Sequence, residues 1–280
     1  MKNLNFQDQL PSISHGYSRL LFALVFCSFA CFDSLKEDSI QAPAEEFDEE
    51  DGFYVQGVIT DLDGNPVIDV FVTVSQEFCI PDRTDEQGNF EIQKITTGSK
   101  KLITYGETAS NGLFASVSFE FNIQTDHIFE NTINLPKFEE TYSLNEDNIE
   151  EYTITTNDDL NITILPNALQ LAPFAPSELQ IARVPVNKAP SFIPDNIQLI
   201  DLFVLHPILS TLDPPSPISF PKDTELPIGT EVNFYGLDYE LGKLVPVASG
   251  VVDENGYPKT NDGQGIPELT WIGLSIKEEE

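Results

Sequence analysis

Between residues 53 and 135, apolar and polar positions alternate with the two-residue period of half-buried strands. The segments "FYVQGVIT" (53–60), "VIDVFVTV" (67–74), "NFEIQKI" (89–95), "KKLITYG" (100–106), "LFASVSFEF" (113–121) and "HIFENTINL" (127–135) are short and rich in Val, Ile, Phe and Thr. The breaks between them, "DGNP" (63–66), "DEQGN" (85–89), "TTGSK" (96–100) and "SNG" (110–112), supply the Gly, Asn and Pro that tight turns require. No stretch of the chain carries a helical apolar repeat. The pattern predicts a small antiparallel sandwich over 53–137.

Residues 139–159 form an acidic junction with strand-like runs ("YTIT", "NITIL") inside it. Beyond it prolines recur at 173, 176, 185, 190, 194, 207, 214, 215, 217, 221 and 227. Proline cannot donate to a sheet ladder, so this spacing predicts edge strands, loops and short runs. The expected fold class is all-β, with two β-sandwich domains in tandem, 53–137 and 138–280.

Two resemblances sharpen the expectation. In "VQGVITDLDGNPVIDVFVTV…TDEQGNFEIQKITTGSKKLITYG", a G-x-V-x-D strand precedes a D-G-x-P turn, an alternating strand and a T-D-x-x-G-x-F segment. The positions that carry it are Gly57, Val58, Asp61, Gly64, Pro66, Val72, Val74, Thr84, Asp85, Gly88, Phe90, Ile92 and Gly98. This stretch resembles the transthyretin-like, carboxypeptidase-regulatory-type domain, which implies a non-catalytic module of secreted or outer-membrane proteins. The later segments "ITILPNALQL", "LPIGTEVNFYGLDYELGKLVPVASGVVDENG" and "GQGIPELTW" are similar to a ZU-type β-sandwich of bacterial surface proteins. That pattern closes on a Trp often followed by His; here Trp271 is followed by Ile272.

Charge and the N-terminal segment add an address. The formal charge is −32 with 14 basic residues, which excludes phosphate-rich partners such as nucleic acid. Residues 31–52 are dense in Asp and Glu and predict an extended, disordered tether. Lys2 and Arg19 precede "LLFALVFCSFAC", an apolar run of signal-peptide length that is too short to span a bilayer. Cleavage after Ala30 fits the small-residue rule and leaves Cys31 first. The arrangement resembles a bacterial lipoprotein signal, with Cys31 as the lipidated residue; it departs from the pattern in having Ser28 where Leu is usual. Lipid anchoring at the outer membrane and plain secretion both stay open. "DSL" (33–35) and "DSI" (38–40) resemble a bacterial O-glycosylation motif. Loss of residues 1–30 and acylation of Cys31 would leave Cys79 a lone thiol with no internal disulfide.

Candidate chemistry is thin. Counted from Asp61, an EF-hand would need glycine at position 6 and glutamate at 12, where Pro66 and Val72 stand. The turn reading assigns structural roles instead: Asp61, Asp63 and Asp85 bond turn backbone, Gly64 and Gly88 take positive φ, and Pro66 fixes the exit. No G-x-S-x-G elbow, phosphate-binding glycine loop or paired Cys/His set is present, and the chain after residue 30 keeps only His127 and His206. The 46 acids guarantee carboxylate pairs at every spacing, so such pairs carry no information. The expectation is a non-enzymatic protein without cofactor or metal, serving adhesion, envelope structure or docking of a protein partner. The rival reading is an accessory binder of glycan or peptide at the cell surface.

Overall fold

A computed structural model describes residues 52–190, 192–194 and 196–278. Cys31, the leader, nearly all of the acidic tether and the O-glycosylation motifs lie outside the described residues. Among the described residues the regular elements are β-strands and three-residue 3₁₀ turns, and no helix is long and apolar enough to cross a membrane.

The first unit holds β1 (Phe53–Thr60), β2 (Phe71–Ser75), β3 (Ile80–Arg83), β4 (Asn89–Ile95), β5 (Gly98–Tyr105), β6 (Val117–Ile123), β7 (His127–Ile128) and β8 (Ile133–Asn134). They form two facing sheets, one with β4, β1 and β7 plus β8, the other ordered β3-β2-β5-β6. Alternation sends Val55 and Ile59 of β1, Phe90 and Ile92 of β4, Val72 and Val74 of β2 and Val117 and Phe119 of β6 into the common core. The sandwich is not wholly antiparallel, because β7 and β8 run parallel to β1. After β6 the chain crosses to the other sheet and lies along the free edge of β1 as two short pieces separated by Phe129–Thr132. Those two pieces are what "HIFENTINL" becomes.

In the full chain Cys79 is disulfide-bonded; the expectation of a lone thiol concerns the chain after loss of residues 1–30 and acylation of Cys31.

The second unit holds β9 (Glu140–Ser143), β10 (Tyr152–Thr155), β11 (Asn161–Ile164), β12 (Leu169–Gln170), β13 (Glu178–Arg183), β14 (Asp201–His206), β15 (Thr211–Ser216), β16 (Ile218–Ser219), β17 (Glu231–Asp238), β18 (Lys243–Val252), β19 (Pro258–Thr260), β20 (Ile266–Glu268) and β21 (Trp271–Ile276). Ten of these make one sheet ordered β10-β11-β16-β19-β18-β17-β21-β14-β13-β9, and β12, β15 and β20 make the facing sheet. The long sheet rolls until its two edge strands meet: the Asn157 amide donates to Glu140 Oε2 at 3.1 Å and to the Tyr142 hydroxyl at 3.2 Å. The Asn145 amide likewise donates to the Tyr152 hydroxyl at 3.1 Å.

Strand β14, "DLFVLH", is buried at every position, which a strand with one wet face cannot be. Phe203 and Leu205 point into the core of the second unit. Leu202 and Val204, on the opposite face, belong to the core that includes Val55, Val72 and Phe119 of the first unit. The two units are therefore joined through a buried seam. Trp271 of β21 lies in it, edge-on to Phe192 at 4.9 Å between ring centroids, and donates its indole N–H to the Ser116 carbonyl at 2.7 Å. Tyr239 donates its hydroxyl to the same carbonyl at 3.0 Å, and the Ser118 hydroxyl returns a bond to the Tyr239 carbonyl.

Phe203 is fully buried and stacks edge-on against Phe220 at 5.4 Å. Phe203→Ala removes that packing and leaves a cavity, so it should cost about 3–5 kcal/mol in urea unfolding. A loss below about 1 kcal/mol would contradict the two-core description of β14.

Candidate functional site

The turn after β1 is built around one carboxylate. Asp61 Oδ1 accepts the backbone N–H groups of Asp63 at 2.9 Å and Asn65 at 2.8 Å, and Oδ2 accepts the Asn65 side-chain amide at 2.9 Å. Gly64 sits at φ +86°, where a Cβ would be strained. The same device recurs at Asp85, which accepts the N–H groups of Gln87 and Asn89 at 2.8 Å, with Gly88 at φ +80°. Gly88 has a second constraint, since a Cβ there would meet the Ile59 carbonyl at 2.3 Å. A third copy uses Asp253 with Asn255 and Tyr257. Burial works against ionisation of Asp61, but the bonds from Asn65, Asp63 and Gly64 outweigh it and hold the carboxyl below its ordinary range. At Asp85 the Asn89 side chain leads the same downward shift. These side chains satisfy turn backbone.

The first turn also forms one wall of a cleft of about 300 Å³ where the two units meet. Asp61, Leu62 and Asp63 face Lys137, Glu139 and Glu140 from the connection into β9, Thr156 and Asp158 from the turn after β10, and Ile181, Ala182 and Arg183 of β13. Pro66, Asp85 and Gly88 do not line it. The cleft is strongly acidic and its lining holds neither His nor Cys nor an aromatic ring. Among the described residues no group of three or more His, Cys, Asp or Glu side chains is arranged to hold a metal ion. What the arrangement offers chemically is a negative concavity that attracts cationic groups.

Arg183, at the cleft edge, is committed elsewhere. It bonds Asp201 through Nε at 3.0 Å and Nη2 at 2.9 Å, and Asp223 through Nη1 at 2.8 Å and Nη2 at 2.9 Å. Asp223 and then Asp201 drive the guanidinium above its ordinary value. Burial pushes Asp201 up while Arg183 pulls it down, and burial prevails. No sequence motif marks this triad; the one local sign is an acid opening the apolar run "DLFVLH".

The two histidines lie apart. His127 is half-buried on β7 against Phe121 and Phe129, at 5.0 and 4.5 Å between ring centroids, and burial lowers its pKa. His206 is buried on β14, 5.7 Å from the Phe138 ring, with Nδ1 unpartnered, and burial depresses it to about 4. Its cross-strand partner is Gln180, whose Oε1 is also buried and unpartnered.

Arg183→Met would strand the buried Asp201 carboxylate and should cost about 3–5 kcal/mol, measured by thermal or urea unfolding. Adding Asp201→Asn should restore most of the loss; no recovery would mean that Arg183 acts through packing. For His206 the folded pKa lies below the unfolded value of 6.5, so its contribution is full above about pH 6.5 and is lost as pH falls toward 4. Unfolding free energies of the wild type and His206→Gln should therefore diverge over that interval, with the wild type losing more. Parallel curves would refute a buried neutral imidazole.

No protein-family model matches the chain, and no curated protein matches it. Among solved structures it is similar to the Bacillus anthracis TIE protein, at 16% identity and TM-score 0.27, over 81% of this chain and 32% of that one. A DUF3823 family protein from Parabacteroides merdae matches at 9% identity and TM-score 0.25, over 81% of this chain and 98% of its own. BcpA, the major pilin subunit of Bacillus cereus, matches at 11% identity and TM-score 0.27, over 81% and 96%. The chain spans about a third of the length of the first of these and nearly all of the other two.

Proposed function

We propose that the chain is a non-catalytic β-sandwich protein of the cell surface, tethered through lipid on Cys31, that holds two sandwich domains, 53–137 and 138–280, in one fixed geometry to dock a partner. The observation that carries this is the buried seam. A core shared by Val55, Phe119, Leu202 and Trp271 makes a rigid presenting body out of two modules. The finer reading of 53–137 as a transthyretin-like, carboxypeptidase-regulatory-type domain rests on its two Asp-x-x-Gly-Asn turns at family spacing.

Within this proposal the acidic cleft favours a cationic protein or peptide segment over a glycan. Its lining offers carboxylates and no aromatic ring, whereas a sugar-binding surface stacks pyranose faces on aromatic side chains. No catalytic role is assigned to any residue.

The test is fractionation of cells expressing the full chain or Cys31→Ser, with protease shaving of intact cells. The wild type should sediment with membranes and be cleaved from outside, and Cys31→Ser should move to the soluble fraction. Retention of Cys31→Ser on membranes, or resistance of the wild type to shaving, would sink the surface-anchored reading.

A further inference from the structure

The seam contains ionisable groups that the proposed docking role does not use. Glu107, in the 3₁₀ turn after β5, accepts the Ser116 hydroxyl on Oε2, and its Oε1 is buried without a hydrogen-bond partner. Ser116 Oγ itself accepts the Gly106 N–H at 2.9 Å, which fixes the hydroxyl proton toward Glu107. The other donors nearby, the Tyr239 hydroxyl and the Trp271 indole, are both spent on the Ser116 carbonyl. Glu268 of β20 is half-buried two residues before Thr270, whose hydroxyl donates to the Leu237 carbonyl at 2.9 Å, and lies within electrostatic reach of Tyr239, Asp238 and Glu240.

The charged neighbourhood is one-sided. From the β17–β18 turn come Asp238 and Glu240, from β20 Glu268, and from the first unit Glu107. The nearest cation by register is Lys243, the cross-strand partner of Asp238. On β14, whose outward face contributes to the seam, the titratable groups are His206 and Asp201, the latter paired with Arg183. An ionised Glu107 has a buried oxygen with no donor, and an ionised Glu268 faces two acids. Either charge costs free energy that opening the seam to water would recover.

We propose that the seam is a proton-controlled joint, closed when Glu107 and Glu268 are neutral and loosened when they ionise. Loosening parts the β17–β18 turn from β6 and exposes the face around Trp271, while each sandwich keeps its own sheets.

The direction of the pH effect follows from the two acids. Burial raises Glu107 against the weaker opposing bond from Ser116, and burial with Asp238 and Glu240 raises Glu268 to about 7. Both lie above the ordinary carboxylate value, so closure is fully supported below that value and weakens as pH rises past it, the Glu268 contribution being lost through about 7. His206 has the opposite sign and acts toward acid, from about pH 6.5 down to 4, so it does not produce an alkaline transition.

Trp271 is the chain's one tryptophan and is fully buried, so its emission reports the seam directly. The experiment follows Trp271 emission and acrylamide quenching of the full chain from about pH 5 to about pH 9, with far-UV circular dichroism in parallel. A red shift and a gain in quenching as pH rises through neutrality, with the β signal unchanged, is the expected result. Glu268→Gln should weaken the transition and move its midpoint, and Glu107→Gln/Glu268→Gln should abolish it. His206→Gln should leave it in place. An emission maximum that does not move in the wild type overturns the proposal. So does a transition that persists in Glu268→Gln with the same midpoint, or one accompanied by loss of the β signal. If the double variant does not fold, the midpoint shift in Glu268→Gln alone decides.

Discussion

The carbonyl of Ser116 is the point on which the two-unit architecture turns. It lies just ahead of β6, in the first unit, and accepts both the Trp271 indole and the Tyr239 hydroxyl of the second. Trp and Tyr carry large apolar bodies with one polar tip, and burying either requires a partner for that tip. A single backbone oxygen with two lone pairs serves both. That lets Trp271 sit fully buried and lets β14 and β21 be apolar on their outward face. Without it the outward face of the rolled sheet would present Leu202, Val204 and Trp271 to water. The approach is close enough to constrain backbone as well: a Cβ on Gly242 of the second unit would meet the Glu120 amide of the first at 2.8 Å.

The acidic composition is compatible with this because the carboxylates are placed by role. Some close turns, as Asp61, Asp85 and Asp253 do by gathering N–H groups that would otherwise lack partners. Glu140 helps to fasten β9 to the turn after β10, so a stretch that reads as an acidic junction serves to close the long sheet's open edges. Asp201 is buried with Arg183 as its counter-ion. Surface pairs such as Lys277–Glu231 contribute little by comparison, because water and salt screen them.

The local features were legible in the sequence and the non-local ones were not, for a physical reason. An Asp-x-x-Gly-Asn turn is closed by bonds within five residues, so its chemistry is written in one short string. The strands β1 and β4 follow the two-residue period because each has one wet and one dry face, and both match the sequence segments 53–60 and 89–95. Strand β3, "IPDR", escaped because it is short and contains proline at an edge position. The parallel pairing of β7 and β8 with β1 also escaped, since residue period says nothing about strand direction. Of the candidate cleft, the sequence marks Asp61 and Asp63, but for the turn and not for the concavity they line. The cleft needs Asp158 and Arg183, about a hundred residues away, to be brought opposite them by the seam.

Glu107 and Ser116 show the same limit from the other side. Nothing within "YGETASNGLFASVSF" distinguishes Glu107 from the chain's many solvated acids. Its distinction comes from position: Ser116, which bonds it, also receives Tyr239 from the β17–β18 turn and Trp271 from β21, and both of those donors are spent on the Ser116 carbonyl. A buried polar group is costly in proportion to what its surroundings fail to supply. The seam supplies Ser116 with every partner it needs and gives Glu107 half of them. The joint is thus strong at its centre and conditional at its margin, and the condition is the protonation of two carboxyls that packing, not local sequence, has brought within electrostatic reach of the Tyr239 phenol.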